Sequence, residues 1–164
     1  MKALLFISLF IPTLSYAATL NFDWPTGWQL REPIRKEGFL LVEGRLPDAA
    51  SNTQQSLKIT AFRLEKDKQT SQPPDVRGLA QGLLDQMKVS AKESNPQLTP
   101  IAGKDGYCFE LTDANPKKGE FTRMMACVMM QGNYLLNFTL LNNSMEDQNA
   151  QDIIKSLTTL SISE

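Results

Sequence analysis

Sulfur, carboxylate and ammonium groups are what this sequence offers for chemistry, because it contains no histidine. Without imidazole there is no base for the usual serine or cysteine triads, no common zinc ligand set and no axial histidine for haem. The two cysteines, Cys108 and Cys127, flank a polar stretch from Asp113 to Glu120 centred near Lys117-Lys118. Both lie in runs of strand-forming residues, and a hairpin folded about that centre sets them directly opposite each other. Opposed residues of an antiparallel pair have Cα atoms ~4.5–5.5 Å apart, within reach of a disulfide. The chemistry expected of the pair is a structural Cys108–Cys127 bridge rather than a redox couple or a free nucleophile.

Met125 and Met129 share a strand face with Cys127, and soft sulfur ligands suit Cu(I). Core filling accounts for the methionines more simply, since Leu136, Phe138 and Leu140 fall opposite them. No metal or other cofactor is expected. Glu110, Asp113 and Glu120 border the cysteine hairpin, whereas Glu146, Asp147 and Asp152 lie near the C-terminus. A glycoside hydrolase needs two carboxyls across a cleft, so a small hydrolase would rely on Glu110, Asp113 or Glu120. The default for all six is a solvated surface. Trp24 and Trp28, around Pro25 and Gly27, suit either an aromatic ligand platform or a plug at the end of a sheet. No Walker loop, dinucleotide fingerprint or G-x-S-x-G elbow occurs. These residues assign no catalytic role.

Seventeen basic and eighteen acidic residues leave a net charge of -1, which provides no electrostatic footprint for nucleic acid or a strongly anionic membrane. With 164 residues, 41% hydrophobic and 21% charged, the chain has the composition of one globular domain. Met1 to Ala17 reads as a signal peptide, with Lys2, an apolar core from Ala3 to Leu14, and Ser15-Tyr16-Ala17 for cleavage. That core is interrupted by Pro12 and is too short to span a ~30 Å hydrocarbon layer. Residues 18–164 are then a single exported domain, periplasmic or secreted in a bacterium, with no stable membrane insertion.

Hydrophobic patterning supplies the elements that position these groups. Strands are expected over Phe39 to Leu46, Leu57 to Leu64, Gly106 to Thr112, Phe121 to Gln131 and Tyr134 to Leu141. Val76, Leu79, Ala80, Leu83, Leu84, Met87 and Ala91 fall at helical spacing behind an Asp75 N-cap. Gly78 and Gly82 align along one side of that helix, where they suit close packing on a sheet. Gly132-Asn133 marks a tight hairpin. Ser144 and Asp147 resemble a capping box for a second helix with Met145, Ala150, Ile153, Ile154 and Leu157 on its apolar face. Extending the hairpin register pairs Cys127 with Phe138, and apolar residues then fall on both faces of the last three long strands. The fold class is α+β, an antiparallel sheet with helices over both faces.

The succession of Pro25-Thr26-Gly27-Trp28, two strands, a helix through Leu83-Leu84, the strand Gly106 to Leu111, a hairpin around Gly132-Asn133-Tyr134 and a closing helix resembles the PsbP-like fold family. That family includes the bacterial DcrB-like proteins. The resemblance implies an α/β/α sandwich and a role in binding, since its members serve as extrinsic photosystem subunits, binding partners, or adaptors and chaperones for secreted toxins. The expected function is a non-catalytic periplasmic binding protein, such as an immunity or inhibitor protein for a toxin or cell-wall hydrolase. An envelope assembly factor and a small carboxylate-dependent hydrolase are the alternatives. The candidate contacts with another envelope or secreted protein are Lys117 and Lys118 at the hairpin tip, and Asp48 to Gln54 in the first long loop.

Overall fold

The computed structural model describes residues 18–47, 55–64, 74–146 and 148–163. The leader, the loop from Asp48 to Gln54, and Asp147 of the expected capping box lie outside the described residues. The described chain forms β1 (Thr19–Asn21), β2 (Gln29–Leu30), β3 (Ile34–Lys36), β4 (Phe39–Leu46) and β5 (Gln55–Arg63). There follow α1 (Val76–Met87), a 3-10 turn (Lys88–Ser90), β6 (Thr99–Pro100) and β7 (Asp105–Thr112). Then come β8 (Arg123–Gln131), β9 (Tyr134–Asn142), α2 (Gln148–Ser156) and β10 (Ser161–Ser163). The architecture is α+β, mostly antiparallel sheet with two short helices.

The main sheet runs in the order β2-β4-β5-β9-β8-β7-β6, with β3 also paired to β4, and a separate two-stranded sheet joins β1 to β10. Its register follows from two turns. Cys108 is opposite Cys127 in the β7–β8 pair, and Cys127 is opposite Phe138 in the β8–β9 pair. The β8–β9 connection is the two-residue turn Gly132-Asn133, with Gly132 at a φ of 58°, where a side chain would be strained. The disulfide closes between Cys108 and Cys127, whose Cα atoms are 4.0 Å apart. Structural disulfides persist in oxidising compartments, which agrees with export.

Side-chain alternation divides the sheet into two faces. On the Cys127 face, Leu57, Ile59, Met129, Leu136, Phe138 and Leu140 form the principal core. Ala150 and Ile153 of α2 and the following Leu157 and Leu160 join that cluster, as do the half-buried Leu20 of β1 and Ile162 of β10. On the opposite face Leu84 of α1 clusters with Phe109, Leu111 and Ala126, while Val76 and Ala80 cluster with Val128. Burial on both faces is complete only in β8, where Met125 to Met129 are buried in succession. In β9 buried and half-buried residues alternate, and β7 leaves Glu110 exposed. The second face of β4, β5 and β9 is partly open, with Phe62 40% exposed beside the ring of Phe39.

Helix α1 begins as its sequence dictates: the Asp75 side chain accepts the Gly78 N–H at 3.0 Å. It stops short of the expected Ala91, because the chain tightens into the 3-10 turn and Ala91 becomes extended, bridging to Asp113. Gly78 and Gly82 do not pack on the sheet. Both are exposed, and a Cβ on Gly82 would meet nothing within 4 Å. The buried stripe of Val76, Ala80 and Leu84 turns these glycines outward. Within β7, Gly106 does need to lack a side chain, since a Cβ there would lie 2.6 Å from Met129 Cβ and 2.9 Å from the Val128 carbonyl oxygen.

Replacing both cysteines with serine lowers stability by about 3 kcal/mol, as loop closure over this separation implies, and urea unfolding measures it. Gly82→Ala raises stability by about 0.5–1 kcal/mol through helix propensity. Gly106→Ala lowers it by about 2 kcal/mol through overpacking, so the two substitutions move the thermal midpoint in opposite directions.

Candidate functional site

Loop, helix end and strand ends converge at one edge of the molecule. The connection from Asp113 to Glu120 is exposed from Ala114 onward, but its backbone is held in place. Asp113 N–H donates to the Thr122 carbonyl at 2.9 Å, and Ala114 N–H donates to the Ser90 carbonyl at 2.9 Å, tying the loop to the end of α1. Asn115 N–H donates to Asp113 Oδ1 at 2.8 Å. Further out, Glu120 N–H donates to the Lys117 carbonyl at 3.0 Å, and Gly119 takes a φ of 86° to complete the turn. Lys117 and Lys118 stand at this tip, and among the described residues neither has an ion-pair partner.

A pocket of about 410 Å³ opens at the foot of the loop, on the Phe109 face. Its apolar wall is Met87 and Ala91 from the end of α1, Leu111, Met124 and Leu141 from three neighbouring strands, and Phe121. Gln86, Ser90, Asp113 and Thr122 add polar groups. The size is ordinary for a small-molecule site.

Charges around the pocket are unevenly satisfied. Arg123 lines it but belongs by alternation to the Cys127 face, where its Nη2 lies 3.4 Å from Glu110 Oε2. Glu93 reaches the same strand end: partial burial opposes its charge, yet the Thr112 N–H donating to Oε2 at 2.9 Å holds its carboxyl below the ordinary value of 4.5. Lys88, just past α1, is held by Asp85 at 2.6 Å, and that contact, followed by the Gln81 amide, lowers the Asp85 carboxyl from its ordinary value. Asp113 continues the Phe109–Leu111 alternation onto the pocket face and has no ion-pair partner among the described residues.

The candidate residues of the sequence are thus distributed as follows. Cys127 is consumed by the disulfide, and Met125 and Met129 are buried in the core. Glu110 and Asp113 point to opposite faces of one strand, so the structure does not bring them together across a cleft. Glu120 caps the loop turn, with the Lys117 N–H donating to Oε2 at 3.4 Å, and Asp152 pairs with Lys155 at 3.5 Å. Glu146 is exposed. Trp24 and Trp28 pack against the core as a plug, with ring centroids 5.7 Å apart and Trp24 lying over Gly44. Asp48 and Gln54 lie outside the described residues. Sequence reasoning missed Gln86, Ser90, Phe121 and Thr122, which meet only because α1 ends against the β7–β8 strand ends. No known family model matches the chain, and no curated protein is significantly similar to it.

The lowered Glu93 carboxyl contributes stability above its unfolded pKa near 4.5, and this contribution is lost as pH falls through the folded value. Glu93→Gln therefore flattens the acid limb of the stability profile below about pH 4.5 and leaves its shape at neutral pH unchanged, as thermal melts across that range read out.

Proposed function

We propose that the protein is a non-catalytic binding protein of the bacterial periplasm that presents the Lys117-Lys118 loop to an acidic surface of another envelope or secreted protein. The observation that carries this reading is a basic tip whose backbone is already hydrogen-bonded and whose stem is cross-linked behind it. A preorganised loop loses little conformational freedom on binding, so more of its contact energy appears as affinity. Exposed lysines with no ion-pair partner among the described residues favour an acidic target and accelerate encounter with it.

An immunity or inhibitor protein for a toxin or cell-wall hydrolase fits this presentation best. The cleft of a glycan-cleaving hydrolase carries paired carboxylates, which complement two ammonium groups on a narrow projection. The same reading takes the fold as PsbP-like, with α1 and α2 over opposite faces of the sheet. Its support is that the side chains of α1 cluster with Phe109 and Val128, and those of α2 with Phe138 and Leu140.

The test is recovery of the partner from periplasmic extract on immobilised protein, followed by titration. Lys117→Glu together with Lys118→Glu weakens binding at least about tenfold, and wild-type affinity falls with salt, as expected of exposed charge pairing. Unchanged affinity of the charge-reversed protein would remove the loop from the interface.

A further inference from the structure

We propose that the pocket at the foot of the loop is a binding site for a small amphipathic organic cation, with its ammonium group at Asp113 and its apolar body on Leu111, Met124 and Leu141. Four features of the site point to this ligand class, and none of them depends on the lysine tip.

The pocket's volume of about 410 Å³ exceeds what one side chain of a partner would fill. Its apolar floor comes from three adjacent strands whose side chains are set on one face by the register Leu111–Met124–Leu141. Asp113 is the acidic residue that lines it, and that carboxylate has no cationic partner among the described residues. One of its oxygens accepts the Asn115 N–H, which fixes the side chain at the rim. Finally, α1 ends at the pocket with no basic residue in its last turn, and the next lysine, Lys88, is occupied by Asp85. The negative end of the helix dipole therefore adds to the field of Asp113. Arg123 also lines the pocket, but its guanidinium is directed to Glu110 on the other face. An anionic headgroup would meet two unfavourable fields here, whereas an ammonium would meet two favourable ones.

The experiment titrates ¹⁵N-labelled protein with 4-phenylbutylamine, and with 4-phenylbutanol and 4-phenylbutyrate as neutral and anionic counterparts of similar shape. The amine is expected to give saturable amide shifts confined to residues 86–91, 111–113, 121–124 and 141, with the alcohol weaker and the acid weakest. Asp113→Asn retains an oxygen to accept the Asn115 N–H and weakens the amine about tenfold, while leaving the alcohol unchanged. Gln86→Trp, at an exposed helix position, narrows the mouth and weakens all three. Equal binding of the three probes, amine binding indifferent to Asp113→Asn, shifts located elsewhere, or no saturable shift would each overturn the proposal.

Discussion

The pairing of β7 with β8 determines which side chains share a face, and a slip of one residue would invert them all. Two covalent or conformational devices prevent that slip. The Cys108–Cys127 bond locks one pair, and the tight Gly132-Asn133 turn sets the next strand against it. With this register in place Met125, Cys127 and Met129 enter the principal core, while Met124, Ala126 and Val128 meet α1. The same constraint directs Asp113 toward the pocket and Glu110 away from it. The chemical character of the exposed end of the molecule is thus inherited from strand pairing.

Long elements with strong periodicity were legible before any coordinates. The alternation in β4 and β9, the 3.6-residue stripe of α1, and the opposed cysteines each state their geometry locally. Five short strands, β1, β2, β3, β6 and β10, were not, because two or three residues contain no period to detect. Nor could the sequence tell which side of α1 faces the sheet at Gly78 and Gly82. Small residues are compatible with close packing and with solvent alike, and the decision lay with Val76, Ala80 and Leu84.

The candidate site was legible in part. Lys117-Lys118 follows from the hairpin centre, and Asp113 stood among the candidate carboxylates. The pocket did not, since it arises where Met87 and Ala91 approach Leu111 and Met124, residues separated by a helix terminus and an edge strand. Such a site depends on where α1 stops. That end point is set by the backbone contacts of Ser90 to Lys92 with Thr112 to Ala114, not by any helix-breaking residue.

The small sheet of β1 and β10 opposes Thr19 to Ser163, almost the full span of the described chain. No shorter fragment contains both partners, so vectorial synthesis delivers them far apart in time. Leu20 and Ile162 can cover their share of the Cys127 face only after the last residues emerge. Until then the apolar underside of the sheet is incomplete, so this face of the core closes last.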